Sequence, residues 1–398
     1  MDKTLRQPFN KAWSQDLFLE YRRALEALAG PIPYALAETP LFLDAPLCEH
    51  LQKNALEILA QLSQPSLLST LKKAIPAHYD HPGMDALPNC VQVDFALCPG
   101  KDGRLEGKLI EMQAFPSLYA LMDQKCVAWN TVLRKVPGIG RDLTCFFNRD
   151  TAKARAKVGE MIVAGEDPQH VVLMDIHPEE QKTIPDFEAT RRLYGVDAVC
   201  VTKIQREGKR LFREKDGKRI PIKRIYNRLV FDELEAKKEK APWDWREELD
   251  VTWCSHPNWY WTWSKFVLPH LQHASVPRTT YVSKLREIPA DLSGYVLKPL
   301  FSFAGTGVII DVTRKDIDNI PADQRDGWVL QEKVTYAHAL PMPDGTGVKA
   351  EVRVMLARPP KDTAFTPILP LVRLSRGKMI GVDHNKGLTW VGGTVGLF

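Results

Sequence analysis

"GYVLKPLFSFAGTGVIIDV", Gly294 to Val312, sets a lysine at the end of one apolar run and a Gly-Thr-Gly loop before the next. A P-loop puts its lysine after the glycines and opens a helix. Here Lys298 precedes Gly305 and Gly307, and Gly307 leads into the β-branched "VIIDV". A Rossmann fingerprint is excluded on the same ground, because its glycines also open a helix. The stretch therefore reads as strand, glycine loop, strand. Such a flap can cover phosphates, since glycine lets backbone N–H groups approach an anion. Lys298 then offers a point charge to a phosphate oxygen. The plainer reading is a hairpin with an exposed lysine.

The next segment bears on that choice. "GWVLQEKV" (327–334) is an apolar strand that turns polar at Gln331 and Glu332. After a phosphate flap, such a strand end suits an adenine site. Backbone groups would read the base edge and a carboxylate would take the ribose hydroxyls. Otherwise it is a strand end meeting solvent.

The chain is long enough for two or three domains: 398 residues, 44% apolar. A net charge of +5 is too small to imply nucleic acid. The seven cysteines form no C-x-x-C pair, which points to reduced thiols in a cytoplasmic protein and not to a disulfide frame or zinc site. "MDKTLRQPFNKAW" lacks the apolar core of a signal peptide. No apolar run is long enough to span a membrane.

Periodicity divides the chain into four stretches. Residues 1–88 are a helical N-terminal segment, with helices in "SQDLFLEYRRALEALAG", stopped at Gly30, and "APLCEHLQKNALEILAQL". Residues 89–150 hold a hairpin, "CVQVDFALC" and "GKLIEMQAF", then the helix "LYALMDQKCVAWNTVLRKV". Residues 151–240 alternate helix and strand, an α/β signature, and end in the Asp-Gly hairpin "RLFREKDGKRIPI". Residues 203–240 carry 14 Lys/Arg against 7 Asp/Glu. That run is either a solvated hairpin or a basic wall facing an anionic substrate. Residues 241–398 include the aromatic, helical-looking "HPNWYWTWSKFVLPHLQH" and, from Tyr281, run mostly as strands with short helical inserts.

Lys298, the glycine loop and the Gln-Glu strand end resemble the ATP-grasp superfamily. That resemblance implies ATP held between two α+β lobes, with Mg²⁺ bridging its phosphates. Mg²⁺ takes hard oxygen ligands. Asp383 and Asn385, after the hinge, sit in a stretch that reads as a turn. The early hairpin offers more. Glu111 and Gln113 are two apart on one strand and share a face, and Asp94 can sit across from them. An exposed polar sheet face is the alternative.

This order resembles the circularly permuted ATP-grasp proteins of the glutathionylspermidine synthase kind. In them Arg-x-Asp-Phe and Glu-x-Asn come early, and the lysine, flap and hinge come late. "QVDF" and "EMQ" occupy the early places here, so Gln92 replaces an arginine and Gln113 an asparagine. Lys265 in "WSKFVLPHL" resembles the family's first ATP lysine. The segment 151–240 resembles its acceptor-side α/β domain, a pre-ATP-grasp-like insertion. The implied fold is therefore α+β with an inserted α/β domain: a two-lobed ATP site preceded by helices. The helical start lies outside the resemblance.

The resemblance implies an ATP-dependent carboxylate–amine ligase that forms an acyl phosphate and then an amide. ATP would meet Lys265, Lys298, Gly305, Gly307, Gln331 and Glu332. Mg²⁺ would meet Asp94, Glu111 and Gln113. Arg373 or Arg376 would stabilise the transferred group, and Arg228 would fork a substrate carboxylate. The partners are a small-molecule or peptide carboxylate and an amine, with no nucleic acid or membrane. Gln92 and Gln113 keep a second reading open, an ATP-binding regulatory protein without ligase activity. A third, a nucleic-acid binder, would use the basic run and the aromatics of 253–263.

Overall fold

The computed structural model describes residues 1–301, 307–377, 380 and 385–398. The chain opens with α1 (Lys3–Ala12), α2 (Gln15–Ala29), the short β1 (Leu41–Phe42), α3 (Ala45–Leu62) and α4 (Pro65–Leu71). The hairpin β2 (Cys90–Pro99) and β3 (Leu105–Gln113) follows, then α5 (Tyr119–Leu133) and α6 (Thr151–Val163). Next come β4 (Val171–Asp175), α7 (Ile184–Tyr194), β5 (Asp197–Cys200), β6 (Gln205–Glu207), β7 (Arg210–Lys215), β8 (Lys218–Ile222) and β9 (Arg224–Asn227). After α8 (Phe231–Lys237), β10 (Thr252–Cys254) and α9 (Trp259–Thr262), the chain builds β11 (Thr279–Tyr281), β12 (Tyr295–Pro299), α10 (Arg314–Asp318) and β13 (Trp328–Glu332). It ends with β14 (Leu340–Pro341), β15 (Gly347–Ala357), β16 (Thr366–Ser375) and β17 (Gly392–Leu397).

The central sheet runs β1-β17-β16-β15-β2-β3, with β14 on β15. The early hairpin thus joins strands from the far end of the chain, β2 pairing antiparallel with β15. One face of this sheet is apolar: Val93 and Phe95 lie opposite Val354 and Val352. Helices α3, α5 and α6 pack on the sheet. The other face of β2 and β15 carries Gln92, Asp94, Arg353 and Glu351, as the two-residue repeat of a strand requires.

Local signals account for the helices. Ser14 caps α2, whose end is closed by Gly30 at φ +77°. Asp44 caps α3. α5 is buried nearly all round because α2 and α7 flank it and β16 and β17 lie beneath it. α1 was not expected: Leu5 and Phe9 are its only buried apolar residues, and Pro8 interrupts it, so its periodic signal is short. Asp2 caps it through the Thr4 and Leu5 N–H groups.

A parallel sheet, β10-β9-β4-β5, forms the α/β unit, with α7 crossing from β4 to β5. The Asp-Gly hairpin becomes β7–β8, with Asp216 and Gly217 both at positive φ. Its cations find carboxylates from outside the basic run. Arg213 and Lys215 hold Asp197 at 2.8 and 2.7 Å, and Lys209 holds Glu248 at 2.6 Å. The solvated-hairpin reading fits these pairs. Among the aromatics, Trp253, Trp259, Trp261 and Trp263 are buried, and the helical stretch is shorter than expected, only α9 and a 3₁₀ turn at Lys265–His270.

The three-stranded antiparallel sheet β11-β13-β12 has a small core of its own, with Leu297 and Leu330 on its core face. The expected strand "VIIDV" is reduced to a single bridge, Ile309 to Leu297, with both hydrogen bonds at 2.9 Å. Capped by Thr313, α10 starts straight after it and cuts the strand short. Among the described residues no helix is long and apolar enough to cross a membrane, and all seven cysteines are free and buried.

Candidate functional site

The polar face of the central sheet holds a connected row of charges. Asp94 is opposite Arg353 on β15 and Glu111 on β3, and Glu351 is opposite Arg373 on β16. Arg353 grips Asp94 with two hydrogen bonds, of 2.5 and 2.7 Å, and Gln92 Oε1 with a third of 2.8 Å. Arg373 donates to the second Asp94 oxygen, lies 3.0 Å from Glu351 and 3.9 Å from Glu111. Gln113 donates to Gln92 at 2.9 Å, and Gln92 to the Ser117 carbonyl at 2.7 Å. Tyr336 donates to Glu351.

Burial alone would raise the Asp94 carboxyl, but Arg353 and Arg373 outweigh it and hold it below the usual carboxylate value. Burial raises Glu351 despite Arg373. Burial would lower Arg373; Asp94 and Glu351 reverse that and fix it as a cation.

Two lysines close on the Glu111 end of this row. Lys265, buried at the start of its 3₁₀ turn, lies 3.9 Å from Glu111. Lys298 reaches across from β12 to the Ile110 carbonyl at 3.0 Å. The β2–β3 register skips Ile110, a bulge that leaves this carbonyl outside the ladder. Lys298 also donates to Gln331 Oε1 at 2.6 Å, and Gln331 to Thr279 at 3.0 Å. Burial lowers Lys298 to about 8, against the pull of Glu111. The lysine is thus buried and not the exposed one of the plain-hairpin reading. Four cations face three carboxylates here, an excess of one positive charge.

The other expected residues lie elsewhere or do different work. Gln331 spends its side chain on the lysine and Thr279. Glu332 pairs with Arg278 at 3.2 Å, and its N–H donates to the Arg278 carbonyl. Arg376 lies past β16, its guanidinium 3.4 Å from Thr389 and apart from Asp94. Arg228 is buried and holds Asp186 at 2.6 Å. Asp186 also accepts the Leu118 and Leu121 N–H groups at the start of α5. The carboxylate forked by Arg228 is therefore internal. Gly307 has φ +75°, and a Cβ there would lie 3.1 Å from Pro299. Gly305 and Asp383 lie outside the described residues. Asn385 accepts from Ser375, Arg376 and Gly377, as a turn residue does.

The sequence reading missed Arg353, Glu351, Tyr336 and Thr279. The signal for two of them was present: in "KAEVRVML" Glu351 and Arg353 alternate with valines, which puts both on one strand face.

Magnesium fits this set only in part. Both Asp94 oxygens are taken by guanidinium groups, so Asp94 serves the arginines. Glu111 is partly exposed and its cationic neighbours stand off at 3.9 Å. Gln113 uses its amide nitrogen on Gln92, which leaves the carboxamide oxygen for a cation. One carboxylate, one carboxamide and substrate phosphates can suffice for Mg²⁺. Among the described residues no three His, Cys, Asp or Glu side chains gather as a metal group.

No family model matches this chain. No curated protein matches it either. Among solved structures it is similar to a glutathione synthetase-like effector, GSS30, from Globodera pallida in its apo form. The two superpose with a TM-score of 0.58 at 12% identity, over 97% of this chain and 98% of that one. The likeness shows a shared mixed α+β fold.

Proposed function

We propose that this protein is an ATP-dependent carboxylate–amine ligase of the ATP-grasp kind. The observation that carries the reading is the convergence of Lys265 and Lys298, from separate segments, on the Glu111 end of the row. The glutathione synthetase-like fold supports it. Lys265 and Lys298 take the phosphates, with the adenine beside the end of β13. Glu111 and Gln113 would hold Mg²⁺, which would screen phosphate charge when bound. Arg373, held by Asp94 and Glu351, faces the transferred phosphoryl.

A substrate carboxylate oxygen bonds to the γ-phosphorus as the β–γ bridge breaks, releasing ADP. An amine then bonds to the acyl carbon, loses a proton, and phosphate leaves. Mg-ATP should raise the melting temperature, and Lys298→Ala should reduce that rise. ADP release should appear when pools of amino acids, peptides and amines supply both substrates. No thermal shift with Mg-ATP would refute the nucleotide site.

The closure of Asp94 by two arginines favours one other reading, an ATP-binding protein without ligation. Nucleotide binding with no acceptor-dependent ADP from any pool would select it.

A further inference from the structure

A cavity of about 330 Å³ lies at the other end of the β2–β15 pair from the charged row. Asn89, just before β2, and Arg358, just after β15, line it, together with Arg224 of β9 and Trp253 of β10. Along an extended strand the way from Asn89 to Asp94 is roughly 17 Å. The cavity is thus separate from the charged row.

Two unmet demands converge on it. Asn89 is 2% exposed. Its side-chain nitrogen donates to the Arg358 carbonyl at 3.3 Å, and its backbone N–H to Ser255 at 3.2 Å. Its Oδ1 has no partner. A buried acceptor of this kind calls for an N–H or O–H donor.

The second demand is for negative charge. Arg224 and Arg358 are buried, at 2% and 9% exposure. Arg224 donates to the Met161 and Ile162 carbonyls and to Thr252, and Arg358 to the carbonyls of Leu87, Pro88 and Asp362. All six acceptors are neutral oxygens. Among the described residues neither arginine has a carboxylate within 4.0 Å. Asp85 acts on both guanidinium groups through space, yet neither is hydrogen-bonded to an anion, and each makes three hydrogen bonds with its five N–H groups. Two acidic residues also line the cavity, Asp85, which is exposed, and Glu166, which lies 3.5 Å from Lys223, together with His256 and Val251.

We propose that this cavity binds a small zwitterion, a free α-amino acid. Its carboxylate meets Arg224 and Arg358. Its ammonium donates to Asn89 Oδ1 and faces Asp85 and Glu166. A simple amine would oppose two guanidinium groups, and a simple carboxylate would leave Asn89 unmet. The volume equals roughly ten waters, more than one water bridging Asn89 would need. The Trp253 ring leaves an apolar wall for a side chain.

The test is calorimetry and thermal melting of the full chain with glycine, L-alanine, L-serine and L-glutamate. Ethylamine and acetate at the same millimolar concentrations serve as single-function controls. At least one amino acid should bind one-to-one and raise the melting temperature by about 2 °C or more, with neither control doing so. Asn89→Leu should weaken binding at least tenfold. If that variant does not fold, Val251→Trp, which fills the cavity from its wall, should do the same. Lys298→Ala should leave amino-acid binding intact, which separates this cavity from the proposed nucleotide site. The proposal is overturned if no amino acid binds, or if ethylamine or acetate binds as tightly. It is equally overturned if Val251→Trp has no effect, or if Lys298→Ala abolishes binding.

Discussion

Asp94 changes role between sequence and structure, and the change has measurable consequences. As a cation ligand it would tolerate loss with little effect on folding. As the buried anchor of Arg353 and Arg373 it should not, because removing one partner leaves buried charge uncompensated. Asp94→Asn should lower stability by about 3 kcal/mol in urea unfolding. Arg373→Met keeps the stem but removes the charge facing phosphate. It should cut ADP formation by about 10²-fold and also lower stability, because buried Glu351 loses its guanidinium partner. Lys298 supplies a pH test. Its value is lowered to about 8 in the folded chain, so it loses its proton earlier there than when unfolded. Folding stability from this group therefore rises with pH above about 8, as the buried charge is relieved. Anion binding has the opposite slope: affinity for ATP should fall as pH rises through 8, and Lys298→Met should flatten that dependence. An unchanged slope in the variant would remove Lys298 from the phosphate site.

Elements announced themselves wherever their signal was local. The 3.6 period of α3 matches Ala45–Leu62, and the Asp-Gly turn fixes β7 against β8. The β2–β3 hairpin was legible for the same reason. Its neighbour β15 was not, because Arg353 and Asp94 are 259 positions apart and no local pattern joins them. The row of charges was half-read on that account: the hairpin showed its acids and Arg373 stood out as a cation, while the place of β15 and β16 beside the hairpin was unknown. Strand ends were less legible still, since α10 truncates a β-branched run that reads as strand throughout. Gly392, at the start of β17, tests how tightly these elements dock. It has φ +107°, and a Cβ there would lie 2.6 Å from the Ala35 carbonyl oxygen. Backbone cannot move aside as a side-chain tip can. Gly392→Ala should therefore cost about 2 kcal/mol or more, read from the urea midpoint at unchanged m-value.

At the scale of the whole molecule, the order of strands in space departs from their order in sequence, and the N-terminal helices are part of the consequence. The resemblance that made the site legible left residues 1–88 without a role. The structure gives them one: they share a single core with the sheet that carries the charged row. Phe9 of α1 packs edge-on against Phe42, Trp129 and Trp390, with ring centres at 5.6, 5.8 and 6.4 Å. Tyr21 of α2 stacks on Trp129 of α5 at 3.8 Å. Phe9, Tyr21, Leu25 and Leu5 are buried, and burial of each such side chain contributes about 1.5–3 kcal/mol. Together that is roughly 6–12 kcal/mol, comparable to the whole stability of a typical folded chain. Removal of residues 1–30 should therefore abolish cooperative unfolding and not merely delete an accessory segment. Trp129 and Trp390 would lose their aromatic cover, so their fluorescence should shift to the red without denaturant. If α1 and α2 were a separate unit, the shortened chain would instead unfold sharply and keep its Mg-ATP thermal shift.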